Sequence, residues 1–271
     1  MTMNENNTRK GWSFCLVASP GKNVYLEKVV DSILNNFQKD NNFEIIIVGN
    51  DVSINSQKII SVYLEKEIYF SPGISKFRIL NAYIKKSLSP FFFKTGAISK
   101  KKNLAAQIAK YDKLCFLHDY IELQNNWLEG FKKFKKDWKI CVNQVLDFEG
   151  LREKDWILYD HPELKSKYSK LTQCLLPYDL YSKYMYISGA YFCVKKNFFL
   201  ENQLDENLFW GEGEDVEWSL RVRSKTKFRF NPFSSVKFIK QKYNIPIHGK
   251  KWQENKIRLE SLLKRTNYKI E

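Results

Sequence analysis

Three carboxylates stand close together in residues 208–223, LFWGEGEDVEWSLRVR: Glu212, Glu214 and Asp215. A carboxylate can accept the proton of an attacking hydroxyl, position a hydroxyl by hydrogen bonding, or serve a divalent cation as a hard oxygen ligand. A second set is His118-Asp119-Tyr120-Ile121-Glu122, where Asp119 and Glu122 offer oxygens of the kind Mg2+ or Mn2+ selects and His118 adds a nitrogen acceptable to Mn2+. A third is basic: residues 96–102, GAISKKK, run into Asn103 at the front of an expected helix. Lysines there oppose the helix macrodipole, a placement that a nearby anion would justify. Each set also has a plain structural reading. Acid at a helix start and base at its end (Arg221, Arg223, Lys225) suit any surface helix, Asp119 could cap a turn, and the lysines could form a solvated run. Capping does not explain why Phe209, Trp210, Gly211 and Gly213 crowd ahead of the acids. Glycine costs roughly 0.5–1 kcal/mol relative to alanine in regular structure, so two of them imply close backbone approach to something.

The elements around these groups set where they can meet. Residues 13–19, SFCLVAS, read as a buried strand before the turn Pro20-Gly21, and residues 24–37 as a helix burying Leu26, Val29, Val30, Ile33, Leu34 and Phe37. Phe43–Gly49, FEIIIVG, reads as a second buried strand closed by Asn50-Asp51. Strand, helix, strand implies a parallel βαβ unit. Ligands bind at the carboxyl ends of such strands, so Ala18, Ser19, Asn50 and Asp51 fall at the expected lip. Neither GxGxxG nor GxxxxGK[ST] is present, which argues against dinucleotide and P-loop chemistry. Short strands are expected at 58–63 and 67–70, and helices at 77–88 and 103–109. A third buried strand, 113–117, runs directly into His118. Beyond it the pattern predicts an amphipathic helix over 126–138, a strand over 140–145, an irregular tyrosine-rich flap over 150–180 and a strand over 184–194 bent at Gly189. In the acid-led helix, Val216, Trp218, Leu220 and Val222 form a broad apolar stripe. A strand over 227–232 and an amphipathic helix over 250–264 complete the chain.

At 271 residues the chain can bury a large α/β core. The net charge of +15 is concentrated after position 216, a distribution suited to nucleic acid, an anionic membrane surface or a phosphorylated substrate. No RNP, helix-turn-helix or zinc-finger pattern supports nucleic acid, and carboxylates in a groove repel phosphates, so none is expected as a partner. Five scattered cysteines (Cys15, Cys115, Cys141, Cys174, Cys193) read as reduced core residues. The amino terminus lacks the apolar core of a signal peptide, and no run reaches the roughly 18–20 apolar residues of a membrane span, so a cytoplasmic protein is expected.

The order of strand, Asp51, KKKN before a helix, an acidic strand end at 118–120 and WGEGEDVEWSLR resembles the GT-A-fold nucleotide-sugar glycosyltransferases. It is most similar to the large inverting bacterial glycosyltransferase family 2. The resemblance implies an α/β GT-A (Rossmann-like) fold with a mostly parallel central sheet flanked by helices, as one domain over 1–271 with 1–12 disordered and 226–271 a basic carboxyl-terminal extension. It implies a nucleotide-sugar donor, UDP-sugar foremost, a glycan or lipid-linked acceptor, and peripheral contact with an anionic membrane at its inner face. Ala18, Ser19 and Asp51 would hold the nucleoside, Lys102 and Asn103 would lie near the diphosphate, His118 would also contact the donor, and Asp215 would be the general base with Glu214 positioning the acceptor. Trp210 and Tyr191 would stack on sugar faces. The family's Asp-x-Asp metal triplet reads His118-Asp119-Tyr120 here, so Mn2+ or Mg2+ would fall to Asp119 or Glu122, with His248 as a late third ligand, or metal dependence would be lost and lysines would substitute. A catalytically degenerate binding module on the same fold is the alternative.

Overall fold

The computed structural model describes residues 9–18, 23–40, 42–49, 61–64, 98–164, 173–208, 213–241 and 250–267. The strand expected at 67–70 and the helix at 77–88 lie outside these residues, as do Ser19, Asp51, Trp210, Glu212 and His248.

One eight-stranded sheet organises the chain. Its strands are β1 (Arg9–Val17), β2 (Phe43–Gly49), β3 (Ser61–Leu64), β4 (Tyr111–His118), β5 (Ile121–Leu123), β6 (Ile140–Leu146), β10 (Tyr191–Lys195) and β11 (Arg229–Phe238), in the order β3-β2-β1-β4-β10-β6-β11-β5. The first four neighbours in that order are parallel, as are β6 and β11. Strand β10 runs against both β4 and β6, and β5 against β11. A second sheet, all antiparallel, joins β7 (Ile157–Tyr159), β8 (Gln173–Leu175) and β9 (Met185–Tyr186) in the order β8-β7-β9.

The sheet is apolar on both faces because its strands alternate between two layers. Phe14 and Leu16 of β1 pack with Leu26, Val29, Val30 and Ile33 of α1 (Asn23–Asn36), while Cys15 faces Ala105 and Ala106 of α2 (Ile98–Ile108). The first layer also holds Trp127 and Leu128 of α3 (Trp127–Lys133); the second holds α4 (Lys196–Glu201), α5 (Glu214–Val222) and the leucines of α6 (Lys250–Arg265). All five cysteines are buried and unbridged. No described helix is long and apolar enough to cross a membrane.

Several expectations shift. Strand β1 starts at Arg9, so residues 9–12 are ordered in the sheet; Trp12 packs edge-on against Trp127 and Phe131 at 4.7 Å, and burial of that ring holds the strand's start. Residues 229–238 are an internal strand, so the region after 226 contributes to the sheet and is not merely appended to it. Helix α3 ends at Lys133 because Trp138 turns back to stack with Trp12 at 6.1 Å. The 150–180 flap contains β7 and β8, each three residues long and too short to show a periodicity. The apolar stripe of α5 is narrower than its spacing implied: Trp218 and Val222 are buried, Val216 is partly buried and Leu220 is 37% exposed.

Candidate active site

The parallel register places Val17 beside His118, so the ends of β1 and β4 open at one edge of the sheet. Ala18, just beyond β1, donates its N–H to Val48 O at 3.0 Å and is buried. Because β10 runs the opposite way, the residues that lead into it arrive at the same edge. There the His118 N–H donates to Ala190 O at 3.2 Å.

The next residue back meets the acids. Gly189 N–H donates to Asp215 Oδ2 at 2.7 Å, and Asp215 Oδ1 accepts the N–H of Val216 at 2.9 Å. The Lys102 ammonium donates to Gly189 O at 2.7 Å and stands 3.7 Å from Glu214 Oε1. A Cβ at position 189 would lie 2.9 Å from Asp215 Cβ, closer than real Cβ atoms approach, and 3.1 Å from Glu214 Oε1, a tight contact. Only glycine fits between the acid pair and the sheet. Gly213, at φ +78°, makes the left-handed step into α5, a second position that favours glycine. Further along α5, Ser219 Oγ accepts the N–H of Ile187 at 2.9 Å, so two residues of the 187–190 turn, Ile187 and Gly189, are bonded to one helix. The sequence-predicted sets at 118 and 214–215 are therefore joined through a single turn.

The other expected residues are distributed as follows. Lys102 is 1% exposed, and its ammonium is spent on Gly189 and Glu214 beneath the acid pair instead of lying open beside a diphosphate. Asn103 donates to Leu204 O at 2.9 Å and Glu206 Oε1 at 3.0 Å and accepts the Leu204 N–H at 3.1 Å, so it anchors residues 204–206 and is not at the lip. The reason is the helix start: α2 begins at Ile98, which turns Lys102 and Asn103 inward. Tyr191 is core, not a sugar platform; its hydroxyl accepts the Trp127 Nε1–H at 2.8 Å and burial pushes its phenol well up.

The metal expectation can be tested on the donors. Asp119 is 2% exposed in the turn between β4 and β5. His118 Nδ1 and the Tyr120 hydroxyl are bonded to each other at 2.9 Å. Glu122 Oε1 accepts from Gln124 Nε2 at 3.2 Å, on a strand whose partner residue is Lys237. Among the described residues no three His, Cys, Asp or Glu side chains converge. A hydroxyl-to-imidazole pair flanking one buried carboxylate is not the oxygen-rich set that Mg2+ or Mn2+ takes, and the described residues do not fit the ion.

Sequence reasoning passed over two features. One is Gly189, noted only as a bend although a glycine inside an apolar strand signals close approach of another group. The other is Tyr159 of β7, whose phenol is raised by burial and then by the negative charges of Asp160 and Asp215. With Tyr186, 5.2 Å away ring to ring, and Val216 it borders the start of α5. No sequence signal marked it, since the strand that carries it is too short.

No family model matches the chain, and no curated protein does. Solved structures match in fold. S. aureus TarS 1–349 in complex with UDP-GlcNAc is similar over 93% of this chain and 66% of that one, at 12% identity and TM-score 0.52. The UDP complex of the same protein gives 84%, 60%, 11% and 0.52 in the same order. GalNAc-T7 with UDP, GalNAc and Mn2+ is similar over 95% of this chain and 48% of that one, at 18% identity and TM-score 0.55. The chain thus spans between 48% and 66% of the length of these solved chains. The architecture is the α/β GT-A fold of glycosyltransferases, with helices on both faces of the central sheet.

Proposed function

We propose that the protein transfers a sugar from a nucleoside-diphosphate sugar, UDP-sugar foremost, to a glycan or lipid-linked acceptor, with Asp215 as general base. The observation that carries this reading is the turn at Gly189 and Ala190, which bonds to Asp215 on one side and to His118 on the other. It sets a proton acceptor across from the strand ends where a nucleotide is expected. The solved structures of similar fold support the donor class, since they are complexes with UDP, with UDP-GlcNAc, and with UDP, GalNAc and Mn2+. In the step, the acceptor hydroxyl oxygen bonds to the anomeric carbon and its proton passes to Asp215. The bond from that carbon to the diphosphate oxygen breaks, leaving its electron pair on the oxygen. Glu214, held by Lys102, orients the acceptor, and Ala18 lines the nucleoside wall. Ser19 and Asp51 would complete that wall, and His248 stands among the candidate donors, all three outside the described residues. The exposed basic face of α6, with Lys256, Arg258 and Lys264, suits an acceptor carried on an anionic bilayer at the cytoplasmic side.

The test pairs binding with turnover. A nucleoside diphosphate at 100 times its dissociation constant should stabilise the protein by about 2.7 kcal/mol, visible as a thermal shift. Asp215→Asn should lower transfer or donor hydrolysis by about 10²–10⁴-fold while the nucleotide shift persists. Unchanged turnover removes Asp215 from the role, and a protein that no nucleotide shifts and that turns over no donor is the binding module instead.

A further inference from the structure

The row of α5 that carries the base runs on to a basic patch. Asp215, Ser219 and Arg223 stand four residues apart along the helix and meet Gly189, Ile187 and Tyr184 in turn, the last with the guanidinium carbon 5.6 Å from the ring centre. About 12 Å of helix rise separates Arg223 from Asp215. Tyr159 lies between them, its phenol acted on by Asp215, Asp160 and Arg223 together. Asp160, at φ +56° in the left-handed region, holds Arg223 with both oxygens at 2.9 and 3.2 Å.

Three further cations stand around that end of α5. Lys183 and Lys227 are exposed; the first places its ammonium 5.5 Å from the ring centre of Tyr184 and the second 4.2 Å from that of Tyr181. Burial raises the Tyr181 phenol, and the charges of Arg229, at the start of β11, and of Arg223 pull it back, so both guanidiniums lie near it. Among the described residues, Arg223 is the only one of these four cations in an ion pair. Neutral rings position a cation through their quadrupole without cancelling its charge. The adjoining turn at 161–164 continues the patch towards α6: His161 is 4.8 Å from Tyr184 ring to ring, and Glu163 accepts from Arg265 of α6 at 3.2 Å.

We propose that Lys183, Lys227 and Arg229 bind a phosphate group of the acceptor, so that the sugar is added to a phosphate-bearing molecule whose attacking hydroxyl reaches Asp215. The assignment rests on the sugar-transfer reading. A phosphate offers several charged oxygens that two ammoniums and a guanidinium share, and a neutral sugar chain would leave those charges uncompensated. The acids at the start of α5 repel a phosphate and suit a hydroxyl, whereas at the far end of the row the one bonded carboxylate, Asp160, is already neutralised by Arg223. The phosphate is held and not transferred; the bonds that form and break are those of the sugar step. Such an acceptor comes from either of two sources, a polymer of phosphodiester units or a lipid-linked diphosphate.

Calorimetric titration of the full chain with a glycerol phosphate oligomer, with a short-chain prenyl diphosphate sugar and with the same sugar lacking phosphate tests this. A phosphate-bearing probe should bind, more weakly as salt rises, and the phosphate-free sugar should bind far more weakly. Which of the two phosphate probes binds more tightly names the source. Lys183→Gln combined with Lys227→Gln should weaken that probe by roughly tenfold, the scale of two exposed ion pairs, with the melting temperature and nucleoside diphosphate binding unchanged. Arginine at both positions should restore the affinity. Binding of neither phosphate probe, equal binding of the phosphate-free sugar, or undiminished affinity in the glutamine variant overturns the patch and leaves the sugar-transfer reading standing. A chain that binds a phosphate probe through these lysines, yet binds no nucleoside diphosphate and turns over no donor, overturns the sugar-transfer reading and the acceptor role with it.

Discussion

Gly189 sets the distance between the acid pair and the sheet, and its missing side chain is the reason. Both of its backbone polar groups are used, the N–H on Asp215 and the carbonyl on Lys102. In Gly189→Ala the new methyl group would meet Asp215 Cβ at 2.9 Å, and because that atom is fixed to a helix backbone the start of α5 must move. Overpacking of this kind costs about 1–3 kcal/mol, and a displaced base can lose on the order of a hundredfold in rate. The expected outcome is a modestly lowered melting temperature, a large fall in turnover and nucleotide affinity close to that of the unaltered chain; full turnover in Gly189→Ala would show that the contact does not place the base. At this scale the sequence was partly legible. The carboxylates at 214–215 stood in a setting that implied close approach of another group, and Gly189 meets them there, whereas the metal reading of 118–122 did not fit the side chains found at those positions. Side-chain direction was not legible. Lys102 and Asn103 looked like lip residues until the start of α2 at Ile98 turned them inward, and a boundary error of a few residues rotates a helical side chain by most of a turn.

Helix α5 carries the acids, and its fixing against the 187–190 turn determines their aim. Trp218 anchors it from below, buried between Phe192 and Phe199 with its indole N–H donating to Asn202 O at 2.5 Å. Ser219 anchors it from the side through the Ile187 N–H. Both residues of that bond are buried, so Ser219→Ala removes an acceptor without opening a path for water. An orphaned buried donor costs about 1–3 kcal/mol, which should appear as a lower urea midpoint with an unchanged slope. An unchanged midpoint would mean the turn finds another acceptor. Long elements with strong periodicity, α1, β2, β4 and α6 among them, stood where their apolar spacing put them. Strands β7 and β8 did not, since strands of three residues are held by their partners and leave no pattern of their own, while β9 fell within the strand expected over 184–194.

Across the molecule, the reversed strand β10 makes the site possible. Inserted between β4 and β6, it delivers the turn before it to the edge where β1 and β4 finish. An all-parallel sheet would bring only strand ends to that edge, and the acids of α5 would have no backbone turn to bond. The sequence implied the parallel half through its βαβ unit, but orientation of a later strand depends on connections that a local pattern does not encode. The same sheet encloses four of the five cysteines, and the fifth, Cys174, is buried on β8 of the small sheet. Cys115, Cys193 and Cys141 are cross-strand neighbours on β4, β10 and β6, and Cys15 lies one strand away. Burial pushes the thiols of Cys15, Cys115 and Cys141 well up and that of Cys174 up to about 12, which suppresses the thiolate that reacts. A disulfide-exchanging dye at neutral pH should therefore colour the native protein only as fast as the sheet comes apart, making these sulfurs a built-in clock for global opening. Immediate labelling of all five would mean the strands part locally, and slow labelling that accelerates with urea would give the unfolding rate without an added reporter.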